Sequence, residues 1–179
     1  MSKPIVATAS LAGCFGCHMS FLDIDEKILD LIELVEFHKS PVDDIKTFSK
    51  QCDLGIIEGG CCNSENVEVL KDFRKNCKII IALGECSLMG GLPAMRNGIP
   101  IEECFKEAYL DSPTVDDTII PNDDELPMIL DRVYPIQDIV KVDYYLPGCP
   151  PRAELIWEAL VALVTGKPLE LPYEVVKYD

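Results

Sequence analysis

Apolar residues recur along the chain in two rhythms, and the switch between them lays out a succession of strands and helices. Residues 4–9 (PIVATA) form a short apolar run of the kind a strand buried on both faces requires. Phe21, Ile24, Ile28, Leu31, Ile32 and Val35 then recur at helical spacing, which predicts a helix over about residues 19–34. Residues 35–38 read as the next strand and 53–58 as another, the latter ending in Gly59-Gly60. Ser64, followed by Val67, Leu70 and Phe73, predicts a capped helix to about residue 76. Residues 78–83 (KIIIAL) are a central-strand run that stops at Gly84, and 142–146 form a last strand. Residues 151–165 read as the final helix, stopped by Gly166 and Pro168. Such alternation predicts an α/β fold with an open parallel sheet and helices on both faces. The stretch at about 87–137 breaks the rhythm, being rich in Gly, Pro and Asp. It is expected to be an irregular insertion with short helices at 101–110 and 126–133, inside a single domain spanning 1–179.

Bulk properties narrow the function. At 179 residues, 48% hydrophobic and 26% charged, the chain has the makings of one globular domain and not of a disordered one. Its net charge of −15 disfavours nucleic-acid backbones and anionic membrane surfaces. No apolar run reaches the roughly 20 residues that span a bilayer, so direct membrane insertion is not expected. Leu11-Ala12-Gly13-Cys14 resembles a lipoprotein cleavage box, but the apolar stretch before it is short and broken by Thr8 and Ser10. An amphipathic segment follows Cys14 where a lipoprotein has a flexible linker, and no twin-arginine pair is present. The cytoplasm is the expected location. There, nine cysteines, an odd number at irregular spacing, argue for metal ligation or thiol chemistry and against a disulfide framework.

The cysteines fall where strands end. Cys14 and Cys17 follow the first strand, Cys61 and Cys62 the strand ending at Glu58, Cys86 the strand ending at Gly84, and Cys149 the last strand. In an open parallel sheet these positions share the carboxyl edge, where such folds bind ligands. Glycines at 13, 16, 84 and 148 allow backbone amides to approach sulfur closely. Pro150 biases Cys149 toward an extended backbone, and Pro151 suits a first helical turn. Helices starting after Cys17 and Cys149 would direct positive dipole ends at an anionic group. Four thiolates are the usual complement of a [4Fe–4S] cluster, and Cys14, Cys17, Cys86 and Cys149 are the candidates.

Two other chemistries stand beside that one. A C-x-x-C between strand and helix is also the layout of a thioredoxin-like thiol oxidoreductase, although Cys86 and Cys149, each in its own glycine turn, have no part in that scheme. Structural zinc sites usually draw ligands from two close pairs, and only one close pair is present. Cys52, Cys77 and Cys104 border predicted elements and read as small buried hydrophobes, while Cys61-Cys62 sits on the ligand edge with either role open.

Taken together, Cys14-Phe15-Gly16-Cys17, Ile57-Glu58-Gly59-Gly60, Leu83-Gly84-Glu85-Cys86 and Pro147-Gly148-Cys149-Pro150-Pro151 resemble the cluster-binding domain of [NiFe]-hydrogenase small subunits. The pattern is shared with the related quinone-reductase (complex I) subunit, which typically has adjacent cysteines where this chain has Cys14-x-x-Cys17. Length and the stretch from Glu58 to Asn66 are most similar to the short small subunit of the soluble, bidirectional NAD-reducing hydrogenases. The resemblance implies a flavodoxin-like fold and a proximal [4Fe–4S] cluster on Cys14, Cys17, Cys86 and Cys149. It also implies docking to a Ni–Fe large subunit, and electron exchange with diaphorase subunits carrying FMN and iron–sulfur clusters. The Ni–Fe catalysis would belong to the large subunit. An FMN within this domain is raised by the resemblance, with no residue of the chain to support it. Glu58, His18, Cys61, Cys62 and Arg152 are the candidates for supporting the cluster or the partner interface. Where other small subunits often place a Glu soon after the second cysteine, this chain has His18-Met19-Ser20, so a proton role is not carried over there.

Overall fold

A strand with apolar residues on both faces must be covered on both, and that requirement shapes the molecule. The computed structural model describes residues 2–114, 116, 118–169, 171 and 173; residues 1, 115, 117, 170, 172 and 174–179 lie outside it. The strands are β1 (Ile5–Ser10), β2 (Glu36–Phe37), β3 (Cys52–Glu58), β4 (Cys61–Asn63), β5 (Cys77–Leu83), β6 (Ile129–Tyr134) and β7 (Tyr144–Leu146). The α-helices are α1 (Gly16–Leu22), α2 (Lys27–Leu34), α3 (Ser64–Asn76), α4 (Glu85–Met89), α5 (Ile101–Phe105) and α6 (Ala153–Val164).

Five strands pair in the order β2-β1-β3-β5-β7, all parallel, which is the doubly wound order of flavodoxin-like sheets. Register places Ser10 beside Glu58, Glu58 beside Leu83, and Leu83 beside Leu146, so four strand ends stand in one row. Side chains alternate between the faces. Leu54, Ile56, Ile81 and Leu83 pack with Phe21, Leu31, Leu155, Ile156 and Leu160 on one side. Ala7, Ile57, Ile80 and Ala82 pack with Leu70, Phe73 and Ile136 on the other. Cys52 and Cys77, partners across β3 and β5, lie in this second core as small apolar residues.

Several expected elements take a different form. The helix expected over 19–34 is two, α1 and α2, separated by a turn in which Asp25 adopts φ 54° and Ile24 swings into the core. The helix expected at 126–133 is strand β6, antiparallel to β4. Its helical periodicity loses to long-range pairing: Asn97 bridges Val133 through both its Oδ1 and Nδ2, and Arg96 donates to the carbonyls of Leu130 and Asp131. Residues 101–110 are helical as expected, α5 widening into one π turn. The cap of α3 is Asn63, whose Oδ1 accepts the Asn66 N–H at 2.8 Å. Ser64 instead bonds Met128, donating from its backbone N–H and accepting at its hydroxyl.

At the amino edge, Arg74 of α3 clamps the sheet by donating to the carbonyls of Cys77, Lys78 and Lys141 and to Asp143 Oδ2 at 2.7 Å. Asp143 also accepts the Ile80 N–H at 2.8 Å. Partial burial pushes the Asp143 carboxyl up, but the Arg74 and Ile80 bonds outweigh it and hold the group below the ordinary carboxylate range. A depressed carboxylate stabilises the fold above its unfolded pKa of about 4 and loses that contribution as pH falls through its folded value. Urea unfolding should therefore show wild-type stability declining below about pH 4. Asp143→Asn should start roughly 1.5–3 kcal/mol lower at pH 7 and decline less on acidification.

Candidate functional site

The row of strand ends builds the site. The turns that leave β5 and β7 are sewn together: Gly84 N–H donates to Leu146 O at 2.8 Å, Glu85 N–H to Gly148 O at 3.0 Å, and Gly148 N–H to Glu85 Oε1 at 2.9 Å. These bonds bring Cys86 and Cys149 side by side. The turns that leave β1 and β3 are joined likewise, through Leu11 N–H to Glu58 O and a reciprocal pair between Ala12 and Gly60. Ser20 Oγ in α1 donates to Pro151 O and ties the Cys14–Cys17 side to the Cys149 side. Gly84, at φ +79°, faces Cys17 so closely that a Cβ there would collide with Cys17 Sγ.

The four cysteines expected as ligands all line one cavity of about 80 Å³, with Phe15, Glu58, Glu85 and Pro150 around them. Cys14 and Cys149 are exposed at its mouth, whereas Cys17 and Cys86 are half-buried deeper in. A larger open depression of about 860 Å³, at residues 23–29 with Ala153 and Glu154, has neither cysteine nor histidine and offers no comparable chemistry.

Burial raises the two half-buried thiols, Cys17 and Cys86. Burial, then the Glu58 carboxylate and the neighbouring Cys86 and Cys14, push the Cys17 thiol far above its ordinary value. Burial also raises Cys86, against a backbone N–H from Leu92 that lowers it. Among the described residues, no lysine, arginine or histidine lines the cavity to activate a thiolate. A thioredoxin-like nucleophile needs a depressed pKa, and at Cys17 and Cys86 the site supplies the reverse. A bound metal, by contrast, deprotonates a coordinating thiol outright. Nor does any group of three or more His, Cys, Asp or Glu side chains among the described residues converge as a single ion demands. Four thiols spaced around a shared cavity, with Gly16 N–H directed at Cys14 Sγ at 3.4 Å, fit a polynuclear iron–sulfur group in which each sulfur meets its own iron.

Under the cavity floor lies Glu58, 2% exposed, which rules out a surface contact by its side chain. Its Oε1 accepts from Ser10 Oγ and its Oε2 from the His18 backbone N–H, each at 2.8 Å. Burial pushes this carboxyl up, but the His18 and Ser10 contacts outweigh it and hold the group below the ordinary carboxylate range. His18 is buried as well, not a surface residue. Its Nε2 pairs with Thr8 Oγ1 at 2.9 Å, and its Nδ1 lies 3.2 Å from Glu58 Oε2 but off the hydrogen-bonding direction. Neither ring nitrogen is therefore directed at a cysteine sulfur.

The remaining candidates fall outside the cavity. Cys61 packs in the second core, where burial pushes its thiol to about 11. Cys62 is half-buried, its N–H and Sγ both directed to Asn66 Oδ1. Arg152 is exposed at the start of α6. The expected helix starts also shift. α1 begins at Gly16 and takes Cys17 into its first turn, and α6 begins at Ala153. Two residues of the site carry no clear sign in the sequence. Phe15 holds φ 65° and stacks on His18 at 4.7 Å, and Glu85 fastens the Gly148 turn. Glu85 sits in the motif beside Cys86, which is the one signal that points to it. Nothing in a phenylalanine announces a left-handed backbone.

The family model described as NADH ubiquinone oxidoreductase, 20 Kd subunit, matches residues 14–163. The chain is 44% identical over 177 residues to the delta subunit of the NAD-reducing hydrogenase HoxS of Cupriavidus necator, covering 97% of this chain and 85% of that one. It is 40% identical over 171 residues to a subunit of the F420-non-reducing hydrogenase of Methanothermobacter thermautotrophicus, covering 93% of this chain and 55% of that longer relative. Among solved structures, a chain of an NAD+-reducing [NiFe]-hydrogenase in the H2-reduced state superposes with a TM-score of 0.95 and 50% identity over 99% of both chains. A chain of the Dm. baculatum [NiFeSe]-hydrogenase shares the fold, with a TM-score of 0.60 at 16% identity over 98% of this chain and 69% of that one.

Replacing Glu58 by Ala strands the Ser10 hydroxyl and the His18 N–H in a dry interior. The expected loss is roughly 1–3 kcal/mol for each stranded donor, measured as a fall in the urea midpoint. Glu58→Gln, which keeps an acceptor oxygen, should recover most of it.

Proposed function

The chain belongs to the NADH ubiquinone oxidoreductase 20 kDa subunit family, and on that premise we propose that it is the small, electron-transferring subunit of an NAD-reducing [NiFe]-hydrogenase. The observation that carries this reading is the meeting of Cys14, Cys17, Cys86 and Cys149 around one cavity at the carboxyl edge of the sheet. Likeness to the HoxS delta subunit and to a chain of an NAD+-reducing [NiFe]-hydrogenase supports the subtype. Because ligands at 14 and 149 serve one cavity, the chain is taken as a single domain with an insertion at about 87–137.

A [4Fe–4S] cluster held by the four thiolates supplies one-electron transfer at this site. The chain's own residues prepare for it. Cys17 and Cys86 hold the inner side, where Glu58 fixes the backbone of the Cys17 turn through the His18 N–H. Cys14 and Cys149 hold the outer side, open to a partner surface. Electrons released from H2 at the Ni–Fe centre of a large subunit would cross here toward a diaphorase that reduces NAD+, and the reverse flow would form H2. The chain itself supplies no acid, base or nucleophile to the H2 chemistry. No helix among the described residues is long and apolar enough to cross a membrane. The cytoplasm is the location that this reading assigns to the complex.

Anaerobically purified complex should contain iron and acid-labile sulfide attributable to this subunit; zinc without sulfide would overturn the reading. Serine at any one of the four cysteines should remove one cluster's signal. H2-dependent NAD+ reduction should then fall below about 1% of wild type, beyond the roughly 10–100-fold that loss of a supporting contact costs. Cys52→Ser or Cys77→Ser should leave the signal in place. Co-purification with a nickel-containing subunit separates this assignment from a quinone-reductase one.

A further inference from the structure

Phe15 holds a backbone that a phenylalanine ordinarily avoids. Among the described residues, only Phe15 and Asp25 take a positive φ without being glycine, at 65° and 54°. A short polar Asp tolerates that left-handed region. A bulky aromatic residue persists there only where its surroundings hold it. Residues that precede a helix usually have an extended backbone and cap it with a side-chain oxygen. Phe15 precedes α1 with φ 65° and ψ 7°, and its side chain makes no cap.

The surroundings that hold it are a buried platform. The Phe15 ring lies on the His18 imidazole, 4.7 Å between centroids and 7° from parallel. The His18 backbone N–H is bonded to Glu58, and its Nε2 pairs with Thr8 Oγ1 at 2.9 Å. Thr8 Oγ1 pairs in turn with Ser40 Oγ at 2.8 Å. His18, Thr8 and Ser40 are all buried, so the imidazole under Phe15 is fixed from two directions. On its other side Phe15 lines the cysteine cavity. The turn it makes there ends in a contact with sulfur: the Gly16 N–H is directed back at Cys14 Sγ at 3.4 Å. The approach is close enough that a Cβ on Gly16 would stand 3.0 Å from that sulfur. An extended residue 15 would carry the Gly16 N–H away from it.

We propose that the Phe15–His18 stack holds residue 15 left-handed so that the Gly16 N–H meets Cys14 Sγ, making Phe15 a positioning residue that raises the reduction potential of the cluster. The inference rests on the cluster assignment above. Reduction adds one negative charge to the cluster, and a donor directed at a ligating sulfur stabilises that form over the oxidised one.

Two substitutions separate the ring from the backbone it holds. Phe15→Ala removes the ring and keeps a Cβ at positive φ, so residue 15 relaxes and the N–H leaves the sulfur. Phe15→Gly removes the ring and the Cβ together, so the left-handed turn stays accessible. In redox titrations of the anaerobic complex, followed by the cluster's electron paramagnetic resonance, Phe15→Ala should shift the midpoint to more negative potential. Phe15→Gly should shift it less. A Phe15→Ala complex with full iron and sulfide at the wild-type potential would overturn the proposal. Equal shifts in the two variants would overturn it as well, because a ring that only shields the cluster from water is lost from both alike. The contact is also tested without any variant, in a crystal structure of the anaerobic wild-type complex. The Gly16 amide within hydrogen-bonding distance of Cys14 Sγ, with Phe15 stacked on His18, supports the proposal, and an amide turned away from that sulfur sinks it. Absence of cluster iron and sulfide from wild type would instead refute the function assigned above.

Discussion

Parallel pairing of β1, β3, β5 and β7 is the constraint from which the rest follows. In a parallel ladder every strand ends at the same edge, and the register brings Ser10, Glu58, Leu83 and Leu146 into line across it. Each of the three cysteine-bearing turns leaves from that row. Hydrogen bonds between neighbouring turns, not contacts within any one of them, then set where the sulfurs stand. A parallel sheet must also be covered on both faces, which accounts for the two cores and for the burial of Glu58 between the sheet end and α1.

The electrostatics of the cavity suit the cluster proposed for it. A buried carboxylate beside Cys17, with no lysine, arginine or histidine among the described lining residues, holds that thiol well above its ordinary value, where a bound metal would deprotonate it. A backbone amide supplies a compensating positive end, the Gly16 N–H directed at Cys14 Sγ. An amide dipole is fixed by the chain trace and does not titrate.

Much of this was legible in the residues. The near-continuous apolar runs ending in glycine marked the core strands, and the cysteines placed after them led directly to the cavity. What could not be read depends on contacts distant in sequence. Leu126, Ile129, Leu130 and Val133 carry a helical period, yet they lie in or beside a strand because Asn97 and Arg96 hold that backbone to its neighbours. The buried placement of His18 follows from Thr8 and Glu58 meeting above it, residues that no local pattern links. Cys61 and Cys62 follow a core strand as the ligands do, but they enter β4, and the antiparallel pairing with β6 turns Cys61 into the core.

The separation of Cys14 from Cys149 along the chain has a consequence for biogenesis. A ribosome releases the first two thiols early and the fourth only after β7, an edge strand held by β5 alone, has emerged. Until that strand docks, three sulfurs stand without the last, and the turn that fastens Cys149 to Cys86 does not exist. On the assignment proposed above, iron–sulfur assembly on this chain waits for the sheet to be finished, and a loaded cofactor would certify that β7 has docked.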